Sequence, residues 1–220
     1  MTGLRARTMP KPAADRRERL RTALVDAAEA IIARDGLAAL RARDVAAAAG
    51  CALGAIYNAF DDLDAIVFAV NMRTLALLDR DLGEALRRKP SAGSVKAADP
   101  DLARLIRLAL AYLEFAATHS PRWRALFEHR ISDGQTVPAW YVAEQNRIFL
   151  LVEEPLRAIK PGLAAGELAQ LARTVFSAVH GVISLGLEQK LGEIPLRRLR
   201  EQTTAIVTAI ARGLRDPAAG

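Results

Sequence analysis

Leu20, Leu24, Ala27, Ala28, Ile31 and Ile32 recur at helical spacing, and the pattern predicts an amphipathic helix from about Ala14 to Arg34. Asp35-Gly36 supplies its stop. A short helix fits Ala42 to Ala49, with Val45 and Ala46 inward and Gly50 closing it. Another covers Leu53 to Ala59. Asp61 or Asp62 suits the N-cap of a fourth, longer helix through Leu63, Ile66, Val67, Val70, Leu77, Leu78 and Leu82 towards Arg88. From Lys89 to Pro100 the apolar period disappears and turn formers dominate, which predicts a linker.

Beyond it, Asp99-Pro100 opens a helix whose stripe includes Leu102, Leu105, Ile106, Leu108, Ala109, Leu113 and Ala116. His119-Ser120-Pro121 breaks it, and Pro121 suits the first turn of a helix from Arg122 to Arg130. Ser132 to Pro138 reads as a loop. A long helix follows from Pro138 to Lys160, kinked or interrupted near Pro155. Ala164 to Leu191 and Leu196 to Leu214 complete the series, joined by a turn at Gly192 to Pro195. No strand pattern and no internal repeat is present. The expectation is an all-α chain: a basic arm over 1–13, a small helical module over 14–61, and a helical bundle over 62–220. The fourth helix is the joint.

Composition supports that division. Hydrophobic residues make up 51% of the 220, much of it alanine, the best helix former, while aromatics are only 5%. No apolar run approaches bilayer-spanning length, and no apolar segment follows the basic N-terminus before Glu18, which argues against a membrane anchor or a secretory signal. Cys51 is the one cysteine, so no intrachain disulfide can form, and a reducing cytoplasm fits. The net charge of +6 is concentrated early, at Arg5, Arg7, Lys11, Arg16, Arg17, Arg19 and Arg21. Such a cluster is either a solvated tail or an arm drawn to phosphates.

Helix, tight turn at Gly50, second short helix is a helix-turn-helix arrangement, in which the second helix can enter a major groove. The same pattern also occurs as a purely structural corner. The residues from Arg17 to Leu78 decide between them by resemblance. LVDAAEAIIARDGLAALRARDVAAAAG, then GAIYNAF and DDLDAI, closely resemble the DNA-binding region of TetR-type transcriptional regulators.

That resemblance implies a dimer bound to a palindromic operator, with half-sites about one helical turn, roughly 34 Å, or a multiple of it apart. It gives Tyr57 a phosphate contact and Gly54 a close approach on the recognition helix. Arg41 and Arg43 would touch backbone, and Arg17 of the first helix is a further DNA-binding candidate. Ala52, Leu53, Ala55, Asn58 and Ala59 would face the bases. The chain departs from the family where Ala52 replaces a small hydroxyl residue, Leu53 a polar or basic one, Leu63 a lysine and Arg41 a threonine or serine. Asn58 is then the main side chain for hydrogen-bonded readout, while Leu53 and the alanines could touch thymine methyl groups.

In the bundle, ATHSPRWRALFEHR, VPAWY and FSAVHGVISLGLE resemble one C-terminal subgroup of the same family. Large rings there either fill the core or line a cavity. The family's use of this region as an effector pocket selects Tyr112, Phe115, Phe127, Tyr141, Phe149, Phe176 and His180 as candidates for a small hydrophobic or aromatic effector. Without the family, His180 reads as a satisfied core histidine more readily than as a ligand contact. The last two helices carry more apolar surface than one core needs. They either form an intramolecular hairpin or, as the family implies, pair across a homodimer through Val175, Val179, Val182, Ile206 and Ile210.

The competing classes are weaker. His119, His129, His180 and Glu128 are the only conceivable metal ligands, and neither their spacing nor any phosphate-loop or nucleophile word supports an enzyme, a metal or a cofactor. A regulator that keeps the fold but acts through protein partners stays open, because the recognition helix carries no charge.

Overall fold

A computed structural model describes residues 12–88, 99–131, 136–190 and 192–215. The arm before Pro12 and most of the expected linker therefore lie outside the described residues. Among those described there are nine α-helices and no strand. They are α1 (Pro12–Asp35), α2 (Ala42–Ala48), α3 (Leu53–Ala59), α4 (Leu63–Arg87) and α5 (Pro100–Thr118). α6 (Ser120–Glu128), α7 (Ala139–Ile159), α8 (Ala165–Leu187) and α9 (Leu196–Arg215) follow, and one 3-10 turn lies at Leu37–Ala39.

The helix starts have local causes. Asp62 accepts from the Ala65 N–H at 2.7 Å, and Asp99 accepts from Leu102 at 3.1 Å, so each carboxylate satisfies an orphan amide of α4 or α5. Ala164 has no side-chain oxygen for α8, but Glu167 reaches back to its N–H at 2.8 Å, which is half of a capping box. Two expected boundaries move. α7 runs unbroken through the buried Pro155 rather than being interrupted there. α8 stops at Leu187 instead of Leu191, and Gln189 and Gly192 then take positive φ of 54° and 101°.

The helices close around two main cores. The first joins Leu24, Ile32, Val45, Ile56, Phe60, Ile66 and Val70 from α1 to α4. The second joins α4 to α9 through residues such as Leu82, Leu113, Trp123, Leu156, Leu168 and Leu199. α4 belongs to both. So does α6, whose Ala125 is fully buried in the first core while Trp123 is buried in the second.

Polar groups pin the same junction. The buried Asn71 of α4 donates to the Ala125 carbonyl at 3.3 Å. Glu29 of α1 receives Arg73 of α4 at 2.7 Å and Arg122 of α6 at 2.9 Å, three helices meeting on one carboxylate.

By length and composition α8 is apolar enough to cross a membrane. Its hydrophobicity has a nearer use, because Leu168, Ala172, Val175, Val179 and Ile183 pack into the second core.

Candidate functional site

α2 ends in a Schellman arrangement. The Cys51 N–H bonds to the Ala46 carbonyl at 3.0 Å and the Gly50 N–H to Ala47 at 3.1 Å, with Gly50 at φ +69°. Glycine adopts that left-handed conformation without a Cβ penalty, so the turn between the two helices is set by one residue. Val45, Ile56 and Ala59 are fully buried and lock α2 against α3.

Of the expected reading surface, Ala52, Leu53, Gly54, Tyr57 and Asn58 are exposed and Ala55 is half-buried. Ala59 is buried and reads nothing, which corrects its assignment from sequence. Tyr57 is 60% exposed and Leu53 48%, so both are accessible from outside the chain. A Cβ at Gly54 would meet nothing within 4 Å, so internal packing does not account for this glycine. α3 carries no charged residue.

The arginines divide. Arg17 is exposed on α1 and Arg43 is exposed beside Asp44 at 3.5 Å. Arg41 turns back on its own chain, donating to the carbonyls of Ala38 at 2.7 Å and Leu40 at 2.9 Å. Arg21, which the sequence places only in the early basic cluster, has a structural partner instead. Its guanidinium donates to the Ala59 carbonyl and lies 4.0 Å over the Phe60 ring, tying the end of α3 to α1.

The second site is a cavity of about 410 Å³ bounded by α4, α5, α6, α7, α8 and α9. Four of the expected aromatics line it: Tyr112, Phe127, Phe149 and Phe176. Three do not. Phe115 is buried in the second core with its ring 4.9 Å from His119. Tyr141 packs instead with Phe68 and Leu75 in a small cluster, and burial pushes its hydroxyl pKa up to about 12.

His180 stands one layer behind the wall. Its Nδ1 is 2.9 Å from the Tyr112 hydroxyl, which also receives the Trp123 indole N–H at 2.8 Å. An indole N–H only donates, so the tyrosine proton goes to Nδ1, and the neutral imidazole carries its own proton on Nε2. Burial shifts both groups towards neutrality, raising the tyrosine pKa and lowering that of His180, with Glu188 opposing the latter.

The wall also contains residues the aromatic pattern could not single out: Leu75, Leu78 and Leu82 of α4, Leu105 and Leu108 of α5, and Val207 of α9. Val175 and Val179, expected at a dimer interface, line the cavity too and are only 5% exposed. Val182, Ile206 and Ile210 are half-buried. The outward face of α8 instead shows Leu185, 41% exposed, beside the half-buried Ala178 and Gly181, and α9 shows Ala205 and Ala209. The histidines considered as metal ligands are dispersed: His129 pairs with Asp64 at 2.9 Å, and among the described residues no three such groups gather.

Against this geometry, the sequence model of "Bacterial regulatory proteins, tetR family" matches residues 24–70, and "Tetracyclin repressor-like, C-terminal domain" matches 105–210. No curated protein matches the chain. Solved structures share the fold at low identity. A protein of unknown function from Rhodococcus sp. RHA1 is 22% identical with a TM-score of 0.67, over 97% of this chain and 100% of that one. A TetR-family transcriptional regulator from Bordetella parapertussis 12822 is 19% identical with a TM-score of 0.55, over 86% and 93%. The TetR family transcriptional regulator PfmR from Thermus thermophilus is 20% identical with a TM-score of 0.56, over 86% and 97%.

Proposed function

The chain belongs to the tetR family of bacterial regulatory proteins, and on that premise we propose that it is a homodimeric, effector-controlled repressor. α3 reads a palindromic operator and the bundle cavity takes a small hydrophobic or aromatic effector. The observation that carries the reading is the double membership of α4. Its Ile66, Val67 and Val70 are core of the DNA-binding module, while Leu75, Leu78 and Leu82 are cavity wall one to three turns further on. α6 repeats the arrangement, with Ala125 in the first core and Leu126 and Phe127 in the wall.

A molecule that displaces the leucines of α4 moves the base of the recognition helix with them. In a dimer this changes the separation of the two recognition helices, and two half-sites of fixed spacing turn that into a change of affinity. Dimerisation through the outward faces of α8 and α9 covers Leu185, Val182 and the exposed alanines. Localisation in the cytoplasm follows from action on DNA.

The test is a binding selection on fragmented genomic DNA, followed by anisotropy titrations on the enriched site. The reading predicts an enriched palindrome, bound more tightly than scrambled DNA, and a dimer in sedimentation. An unenriched library, or a clean 23.8 kDa species at micromolar concentration, sinks it. Leu53, exposed on an uncharged α3, favours a second reading, contact with a protein partner instead of operator bases. That alternative predicts no enrichment together with loss of partner binding in Leu53→Ser.

A further inference from the structure

Few of the described residues lining the cavity are polar. Most of the described lining residues are aliphatic or phenyl, and the Tyr112 hydroxyl is already engaged by Trp123 and His180. A ligand filling that space must carry an apolar body, because an inward polar group would lose its water without gaining a partner. The polar residues of the wall are Gln145, Ser177 and Arg173, and Arg173 is the one charged side chain among the lining residues.

Arg173 is held in place. Its Nη1 donates to the Ala169 carbonyl at 2.8 Å, its Nη2 to Asn146 Oδ1 at 2.6 Å, and its guanidinium carbon lies 4.9 Å over the Phe149 ring. These anchors fix the plane of the fork but are all neutral. None of the ion pairs between described residues includes it. Three other arginines of the bundle do meet acids on another helix, Arg104 with Glu154 of α7, Arg200 with Glu114 of α5, and Arg147 with Asp79 of α4, whereas Arg107 of α5 donates to the carbonyls of Leu86 and Arg88. Phe127 and Phe149 line the same cavity, and Phe127 is half exposed.

We infer that the effector is an apolar monocarboxylic acid, its hydrocarbon or aryl body in the cavity and its carboxylate on Arg173. The inference rests on the reading of the cavity as the effector site. A planar fork presenting parallel N–H groups matches a carboxylate, and one positive charge balances one negative charge without further donors. A phosphate dianion would need more donors than this rim offers. Ser177 spends its proton on the Arg173 carbonyl at 2.8 Å, leaving Gln145 as the remaining neutral donor.

The test uses matched pairs, octanoate against octanamide and 4-phenylbutanoate against 4-phenylbutanamide, titrated calorimetrically into the full chain and into Arg173→Met and Arg173→Lys. Loss of a charge-assisted pair predicts that each acid binds about 10- to 100-fold more tightly than its amide. Arg173→Met should abolish that preference and leave amide affinity unchanged, and Arg173→Lys should restore part of it. Amides binding as tightly as acids, or a preference that survives Arg173→Met, overturns the assignment while leaving the cavity reading standing. If none of the four compounds binds, the cavity reading falls with it. Acids that bind but leave operator affinity unchanged sink the control of DNA binding and not the carboxylate site.

Discussion

Gly181 and Gly186 lie five residues apart on α8, and the same substitution should act oppositely at the two. A Cβ built at Gly186 comes within 2.6 Å of Leu199 Cδ1 and 3.0 Å of its Cδ2. Carbon contacts settle near 3.5–4.0 Å, so the leucine must retreat by about 1 Å. Leu199 has nowhere easy to go, being 1% exposed in the second core. Overpacking of this kind costs about 1–3 kcal/mol, and alanine returns roughly 1 kcal/mol of helix propensity. The net for Gly186→Ala is a loss of about 1 kcal/mol, or about 2–4 °C in melting temperature for a chain of this size. Gly181 meets nothing within 4 Å inside the chain. In dilute protein Gly181→Ala should therefore raise the melting temperature by a similar amount. On a dimer face, however, the added methyl meets the partner. The gain should then shrink or reverse as concentration rises, and sedimentation should show weaker association. Scanning calorimetry over a hundredfold concentration range reads both effects. In a double-mutant cycle, Leu199→Val should recover part of the Gly186→Ala loss. Stabilisation by Gly186→Ala, or no coupling to Leu199→Val, refutes the close crossing of α8 and α9. A gain from Gly181→Ala that is the same at every concentration refutes the interface.

Three other outcomes follow from the described contacts. Arg21→Met removes both the hydrogen bond to the Ala59 carbonyl and the stacking on Phe60; hydrogen exchange at the amides of α3 should speed up, corresponding to about 1–2 kcal/mol of local stability, and unchanged protection would show that Arg21 does not hold the helix. His180 accepts from Tyr112 as a neutral imidazole with a lowered pKa. As pH falls below about 6.5, the unfolded chain takes up a proton that the folded chain does not, so stability declines from pH 7 towards 5. His180→Gln should flatten that slope in chemical denaturation, and an equal slope in both proteins would remove His180 as its source. On the operator, Tyr57→Phe should weaken cognate and scrambled DNA alike by loss of a phosphate contact, whereas Asn58→Ala should change sequence preference in a repeat selection. Equal loss on both DNAs for Asn58→Ala would end its readout role.

The helices were legible because their signals are local. Asp62 and Asp99 sit where a carboxylate can cap, Gly50 where the chain must turn left-handed, and the apolar period continues between them. α7 shows the limit of that reasoning. Pro155 removes one N–H and predicts a break, yet packing around the buried proline outweighs one missing bond and the helix continues. α6 was legible as a helix but not as a junction. Nothing near Ala125 in sequence announces that its carbonyl meets Asn71 across 54 residues, or that its methyl fills the other core.

The cavity was legible only by half, for a different reason. A leucine beside a void and a leucine in a filled core are the same letter at the same helical spacing. Which it becomes depends on how far apart the helix axes settle, a property of all the walls together. Hence ring type and helical spacing alone put Phe115 and Tyr141 in the wall although they pack elsewhere, and nothing in the spacing of Val175 and Val179 shows that they line the void. Arg173 is the extreme case. With 31 lysines and arginines against 25 acids, some cations in this chain must go without an acid, and the sequence cannot mark which of them matters. Its meaning comes from what surrounds it: an apolar hollow on one side, neutral anchors on the others, and no part in the ion pairs between described residues. An unpaired cation on an open surface is solvated by water. The same cation in the wall of an apolar hollow is where the proposed acid, whose other end prefers oil, would seat its carboxylate.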